Sequence, residues 1–438
     1  MQNKKLKAGI YTLGCKVNQY ESEAISEGLR ARGVEIAPPS ELCDIYIINT
    51  CTVTAESDRK ACQFVRRVIQ KNPDAYVLVT GCMAQVSEAR IASIAGVDYI
   101  CGNTDKLSVV DAALALAERG EKNPAPEINI RDINSAPFEK MSITEFERTR
   151  AYVKIEDGCE SRCSYCIIPS ARGKIRSKPF DEVIKEVTCL VHGGCREVVL
   201  TGIETASYGR DLEGVDLATL LCEVDKIEGI GRVRLGSLDP SLITPAFVDK
   251  IAGLRSLAPH FHLSLQSGSS RVLALMRRKY NADMAMRGIE LLRAKIPEVK
   301  FTTDVIVGFP DESDEDFELT LQFAKEARFL MMHIFPYSKR AGTVAAVMPN
   351  QIPSEVKKRR AARLAEVAGD IRRGLLEEKI KLSPKCSVLF ETYADGLSYG
   401  HTADFIEVAV CSTEPMHSEF HDIILTHTDG NICFGNLI

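Results

Sequence analysis

Tryptophan is absent from the 438 residues, and aromatics together make up only 6%. Stacking platforms for nucleic-acid bases are therefore few, and Phe390, Tyr393, Tyr399 and Phe405 are the candidates in the C-terminal part. Long apolar runs are missing too: none reaches the roughly 18 residues that a membrane-spanning helix needs. Met1 to Tyr20 hold lysines but no apolar h-region, so no signal peptide is read and a cytoplasmic protein with no membrane partner is expected. Nor is there a surplus of positive charge. Lys and Arg number 55 against 60 Asp and Glu, a net −5, which excludes a globally basic nucleic-acid binder and moves any RNA contact to local basic strings. Ordinary hydrophobic (45%) and charged (26%) fractions exclude disorder as the main character.

Cysteine is the residue in excess. Fifteen of them, an odd number in a long chain without secretory signals, argue against a disulfide scaffold and for metal or redox chemistry. The length suggests about three domains. Residues 8–120 alternate short strands (Ala8–Thr12, Ile45–Asn49, Tyr76–Thr80, Tyr99–Cys101) with helical periodicity (Glu21–Arg32, Ser57–Gln70, Gln85–Ile94, Leu107–Glu118), which predicts a doubly wound parallel α/β domain over 1–120. Residues 121–150 are polar and proline-containing and read as a linker. The βα rhythm then resumes over 151–375 with six strands, at 151–156, 197–202, 232–238, 260–265, 300–307 and 330–335, predicting a partial (β/α)6, TIM-like barrel. A charged helical stretch follows at 353–381, and Cys386–Ile438, with glycines at 396, 400, 430 and 435, reads as a small five-stranded β-barrel within a 376–438 unit.

The sharpest motif is Cys159-Glu-Ser-Arg-Cys163-Ser-Tyr165-Cys166. Three thiolates at this spacing, after the first barrel strand, suit three irons of a [4Fe-4S] cluster and leave the fourth iron open. A zinc knuckle is the plainer alternative, but no fourth Cys or His stands nearby to close a tetrahedron. A second set is more dispersed: Cys15, Cys51 and Cys82 each follow a strand of the first domain, where parallel strands point their ends into one crevice. Isolated cysteines are more often small buried hydrophobes, so position alone leaves this second set open. The other nine (Cys43, Cys62, Cys101, Cys189, Cys195, Cys222, Cys386, Cys411 and Cys433) show no ligand spacing, and His192, His260, His262, His333 and His401 read as core or loop residues.

The CxxxCxxC pattern with Tyr165 before its last cysteine resembles the radical S-adenosylmethionine (SAM) superfamily. Leu13-Gly-Cys-Lys-Val-Asn-Gln19, Asn49-Thr-Cys51 and Gly81-Cys-Met-Ala-Gln85 resemble the N-terminal domain of its methylthiotransferases. Cys166-Ile-Ile-Pro-Ser-Ala-Arg-Gly-Lys-Ile-Arg-Ser177, Leu265-Gln-Ser-Gly268, Met276-Arg-Arg-Lys-Tyr280, Asp304-Val-Ile-Val-Gly-Phe-Pro310 and Phe335-Pro-Tyr-Ser338 resemble later motifs of that family. The segment from Cys386 on looks like its RNA-binding TRAM module. Three subfamilies share this architecture, acting on isopentenyl-adenosine in tRNA, on threonylcarbamoyl-adenosine in tRNA, or on an aspartate of a ribosomal protein. Gly14-Cys-Lys-Val-Asn-Gln19 looks like the second.

The resemblance implies two [4Fe-4S] clusters, on Cys159/Cys163/Cys166 and on Cys15/Cys51/Cys82. It implies two SAM molecules per turnover, an electron donor of flavodoxin or ferredoxin type, and an undetermined sulfur donor. The reaction implied is insertion of sulfur and methyl at carbon 2 of the modified adenosine beside the anticodon, giving 2-methylthio-N6-threonylcarbamoyladenosine. The other two targets are alternatives, as is a non-catalytic cluster protein that binds RNA. Thr201-Gly-Ile-Glu204 occupies the place of the superfamily's Gly-Gly-Glu segment, so Gly202 is expected at SAM, with Tyr165, Ser237, Gln266 and Arg278. Lys16, Asn18, Arg172, Lys174 and Arg176 are expected at the substrate, the last three with Lys178 forming one basic string, and Lys357–Arg360 a second.

Overall fold

Residues 5–146 and 148–438 are described by a computed structural model. The first domain is a six-stranded, all-parallel sheet of β1 (Lys7–Thr12), β2 (Glu35–Ala37), β3 (Ile45–Thr50), β4 (Tyr76–Gly81), β5 (Tyr99–Cys101) and β6 (Glu127–Asn129), ordered β2-β1-β3-β4-β5-β6. β3 is buried along its whole length, as a central strand covered on both faces requires. Helices Lys16–Arg30 and Ser108–Arg119 share one core with β1, β3 and β4, and Ala55–Lys71 packs in a second. The strand order reverses between β1 and β3, and the crevice beyond their carboxyl ends is where this fold places ligands.

The stretch 121–150 is not a free linker. Glu127–Asn129 adds the edge strand β6, and Ile133, Met141 and Ile143 are buried. A three-residue, mostly exposed edge strand has no periodicity to read, which is why sequence pattern passes over it.

The second domain runs through β7 (Arg150–Lys154), a short antiparallel pair β8 (Glu156–Asp157) and β9 (Arg176–Ser177), then β10 (Glu197–Thr201), β11 (Arg232–Leu235), β12 (Ser237–Leu238), β13 (His260–Gln266), β14 (Lys300–Val307) and β15 (Met331–Pro336). β11 and β12 are one path bent at Gly236. The parallel order is therefore β7-β10-β11 followed by β12-β13-β14-β15, the expected six strands, with β7 and β15 unpaired to each other among the described residues. This is an open barrel, and the helix Lys16–Arg30 of the first domain packs on β7 at its open edge.

The third unit is a closed barrel, β16-β17-β18-β20-β19, from β16 (Lys385–Ala394), β17 (Leu397–Thr402), β18 (Glu407–Cys411), β19 (Phe420–Thr428) and β20 (Cys433–Leu437). The 29-residue helix Ser354–Leu382 leads into it, burying Leu364 in the large-barrel core and Leu375 and Leu376 in that of the small barrel. The small barrel docks on the amino ends of β7, β10 and β11. There Glu197 takes Arg150 (3.1 Å), Arg232 (3.0 Å) and Arg234 (2.9 Å), and Arg232 and Arg234 donate onward to the carbonyls of Thr402 and Ala403. Burial alone would raise the Glu197 carboxyl, but Arg234, Arg150 and Arg232 hold it at about 2. A depressed carboxyl contributes stability above its unfolded pKa and loses it as pH falls through the folded one. Docking is accordingly expected to weaken between about pH 4.5 and pH 2, and Glu197→Gln to weaken it already at neutral pH; near-UV circular dichroism across that range checks both.

Candidate active site

Each cysteine of the first domain's set is placed by a strand end. Cys15 caps the helix Lys16–Arg30 directly after β1, Cys51 follows β3, and Cys82 opens the helix Cys82–Val86 after β4. Strands β1, β3 and β4 are neighbours, so the three loops meet. A Cβ placed on Gly14 would stand 2.8 Å from the Cβ of Cys51, a gap that admits only glycine. Asn18 ties the loops together, donating to the carbonyls of Leu13 (2.7 Å) and Thr50 (3.0 Å) while its Oδ1 accepts from Arg172 (2.6 Å). Burial pushes the Cys51 thiol up to about 12, with Cys82 adding to the rise.

Beside Cys82 lies a buried charge network. Arg172 reaches Cys82 Sγ at 3.2 Å, Glu21 at 2.6 Å and Asp157 at 3.2 Å. Lys154 pairs with the same two carboxylates, Lys106 with Glu21, and Arg176 with Asp157. Two carboxylates thus face four cations, and Glu139, whose carboxyl burial pushes up toward neutrality, adds little. Such an uncompensated positive surplus out of water suits anionic thiolates.

This network bears on three expectations. Asn18, Arg172 and Arg176 are buried, with Arg172 at 0% exposure; Asn18 and Arg172 are engaged in the network, and Arg176 donates from its two terminal nitrogens to the carbonyls of Ile133 and Arg172, so all three brace the cysteine loops from within and are not presented at the surface. Lys178 is likewise buried, on Glu186 and the Met141 carbonyl, which leaves only Lys174 of that string at the surface. Of the second string, Arg360 is buried on Glu312 and Asp314, and Lys357 donates to the Tyr337 carbonyl.

Cys159, Cys163 and Cys166 lie on the loop beyond β8, at the carboxyl end of the barrel, all partly exposed. Cys159 Sγ donates to Glu204 (3.0 Å), which also accepts from Ser161 (3.1 Å) and lies 3.6 Å from Lys279. Arg278 reaches Cys163 Sγ (3.2 Å) and is itself fixed by Asp239 (2.9 Å) and the Ser264 carbonyl (3.1 Å). Burial raises the Cys166 thiol to about 11. Tyr165 packs edge-on to Phe309, with ring centroids 6.4 Å apart. Gln266 ends β13 with φ +71°, and Ser237 opens β12.

Gly202 is a close approach: a Cβ there would meet the Glu156 carboxylate at 2.5 Å, the same oxygen that accepts the Glu204 amide at 2.8 Å. Gly202→Ala is expected to destabilise the fold by about 1–3 kcal/mol through overpacking against Glu156, read by denaturant titration.

The barrel lumen and the first domain share one cavity of about 480 Å³, lined by Cys15 alone of the six cysteines among the described residues. Cys15 and Lys16 line it from the first domain, Gly202 and Ser237 from the barrel, and Arg150, Arg234 and His260 lower down. Phe405 of the small barrel plugs the floor, stacked on His260 (4.4 Å) and His401 (4.8 Å) under Arg150 and Arg234. Phe405 and the fully buried Phe390 are therefore not free to stack on RNA. His262 and His333 line the lumen with Thr302 and Asp304, beyond the core or loop role read for them, while His260 is buried at its edge as a core residue. His260 and His262 on β13, and Thr302 and Asp304 on β14, stand at i, i+2, and alternate strand residues share a face. Across the crevice, Arg340 braces the Cys51 loop through Asp58 (2.8 Å) and Thr52 (2.6 Å).

The donor sets fit iron–sulfur clusters. Each offers three unpaired thiols, and a four-iron cluster takes its cysteines on separate irons. Among the described residues no three His, Cys, Asp or Glu side chains close in as they would round a single metal ion.

Comparison with known proteins agrees with this geometry. Residues 153–324 match the radical SAM superfamily, and residues 7–102 match the uncharacterized protein family UPF0004. The chain is 39% identical over 93% of its length, and 91% of the relative's, to the threonylcarbamoyladenosine tRNA methylthiotransferase MtaB of Bacillus subtilis. To the enzyme of that name from Aquifex aeolicus it is 38% identical, over 83% of the chain and 88% of the relative. It is 34% identical over 98% of its length, and 92% of the relative's, to the tRNA-2-methylthio-N(6)-dimethylallyladenosine synthase of Caldicellulosiruptor saccharolyticus. In fold it is similar to the radical SAM methyltransferase TsrM of Kitasatospora setae, with a TM-score of 0.57 at 14% identity over 78% of this chain and 77% of that one. With its cysteine sets, its open barrel and these relatives spanning nearly its whole length, the chain belongs to the methylthiotransferase family of radical SAM enzymes, in its MtaB-type branch.

Proposed function

We propose that this enzyme installs a methylthio group at carbon 2 of threonylcarbamoyl-adenosine in tRNA, beside the anticodon. The observation that carries the reading is the single lumen lined at once by Cys15 of the first domain and by Gly202 and Ser237 of the barrel. A ring C–H carries no acidic proton, so proton transfer alone does not activate it, and sulfur and radical chemistry must reach one carbon from two sides. Cys159, Cys163 and Cys166 would hold one [4Fe-4S] cluster with SAM, and Cys15, Cys51 and Cys82 a second, and when bound these supply the hydrogen-abstracting radical and the sulfur.

The chain's own part is positioning. Arg278 and Glu204 hold the loop of Cys159 and Cys163, Gly202 leaves room for SAM beside Glu156, and Arg172 with Asn18 fixes the loops of Cys15, Cys51 and Cys82. Phe405, stacked on His260 and His401, fills the amino end of the lumen. Two SAM molecules per turnover, a flavodoxin- or ferredoxin-type electron donor and a cytoplasmic setting go with the same reading. Lys174, Lys358, Arg359 and the exposed Tyr393 are the RNA contacts of this reading, with Tyr399 half-buried beside them.

Nucleoside mass analysis of tRNA from a deletion strain tests the reading. 2-Methylthio-N6-threonylcarbamoyladenosine should vanish and its unmethylthiolated precursor accumulate. Unchanged levels, or loss of a dimethylallyl product instead, would refute it.

A further inference from the structure

Among the described residues, one cation of the lumen makes no ion pair or hydrogen bond. Three cationic side chains line it, Lys16, Arg150 and Arg234, against the single carboxylate Asp304. Asp304 is engaged by His262 at 3.2 Å. Arg150 and Arg234 are occupied by Glu197, Glu391 and the carbonyls of Thr402 and Ala403. Lys16 has no ion pair or hydrogen bond from its side chain among the described residues. It also opens the helix Lys16–Arg30, at the end where the helix dipole disfavours a positive charge. A lysine placed there, lining a cavity and flanked by two arginines, faces only the Cys15 thiol and the already engaged Asp304, and it gains from an anion that enters from outside.

We propose that Lys16 reads the carboxylate of the threonyl group on the substrate's N6 nitrogen. The inference rests on the function proposed above and adds the residue that sets its specificity. Lys16 follows Cys15, so an adenine whose carbon 2 faces that cysteine extends its N6 substituent along the lumen toward Arg150 and Arg234. A threonylcarbamoyl group ends in a carboxylate and a hydroxyl, which meet Lys16 and the polar wall of Thr302, His333 and the His262–Asp304 pair. An apolar dimethylallyl group in the same place covers the half-buried ammonium and leaves it without an ion pair. Sites built to bond a polar group reject analogues that lack it for this reason.

The test uses the full-length, anaerobically reconstituted enzyme and three anticodon stem-loops. One carries threonylcarbamoyl-adenosine, one its methyl ester and one dimethylallyl-adenosine. Binding is read by fluorescence anisotropy and turnover by nucleoside mass analysis. The wild type should bind the free acid about 10- to 100-fold more tightly than the ester, the strength of a hydrogen bond between charged groups. Lys16→Gln should bind the two alike, and Lys16→Arg should restore a preference for the acid. Each comparison is a ratio within one protein, so partial misfolding cancels. Equal binding of acid and ester by the wild type would overturn the proposal. So would an acid preference that survives in Lys16→Gln, including the case where that variant loses SAM affinity instead. Failure of the wild type to methylthiolate the free-acid stem-loop would strike the function proposed above, and the binding ratios would still decide the role of Lys16.

Discussion

With Cys159, Cys163 and Cys166 replaced together by alanine, the reconstituted protein is expected to bind about four irons per chain instead of about eight. Reductive cleavage of SAM should fall to background in the same variant. The reason is geometric: all three thiols lie on one loop at the carboxyl end of the barrel, while Cys15, Cys51 and Cys82 are held by β1, β3 and β4 of a separate sheet with its own hydrophobic clusters. Losing one set removes one cluster and leaves the other's scaffold intact. The converse variant, with Cys15, Cys51 and Cys82 replaced, should keep SAM cleavage and form no methylthiolated product. Iron falling to zero in the first variant, or zinc in place of iron in the wild type, would contradict the two-cluster assignment.

Glu21→Gln is expected to destabilise the protein by about 3–5 kcal/mol, the cost of stripping a buried charge of its partner. Glu21 is fully buried and receives Arg172, Lys154 and Lys106, and these cations overcome the burial that would otherwise raise its carboxyl, holding it well below the usual range. Glutamine keeps the shape and removes the charge, leaving four cations to Asp157 alone. Denaturant titration of the cluster-free protein reads the loss. Adding Lys106→Met to Glu21→Gln should recover part of it, because the second change removes a cation that the first left unpaired; strictly additive losses would sink this account. The same linkage sets the pH dependence. A depressed carboxyl contributes its full stabilisation above its unfolded pKa of about 4.5 and loses it as acid protonates the folded form.

Much of the site was legible because its signals are local. Cys159, Cys163 and Cys166 fall within eight positions, and each cysteine of the other set closes a β-rich run, so spacing and strand patterning bring them forward. Six barrel strands and a five-stranded terminal module follow from the same short-range patterns. Charge was misread where burial was decisive. Arg172, Arg176 and Lys178 look like a phosphate-binding string in the sequence, yet each is turned inward onto carboxylates or carbonyls supplied by distant segments, Arg172 onto Glu21 across 151 positions. A charged residue is buried only where partners converge, and that convergence is a property of the packed chain.

What the sequence determined by itself is the order of strands and helices, the spacing of the two cysteine sets and the family to which they point, because these are written in neighbouring residues. What the tertiary structure decided is which cations remain available. It spends Arg172 on Cys82, Glu21 and Asp157, and it spends Arg150 and Arg234 on Glu197 beneath the small barrel. It leaves Lys16 in the lumen beside Cys15 with no ion pair among the described residues. The physical reason is that pairing energy depends on distance and burial, both of which are set only when segments far apart in the chain pack together.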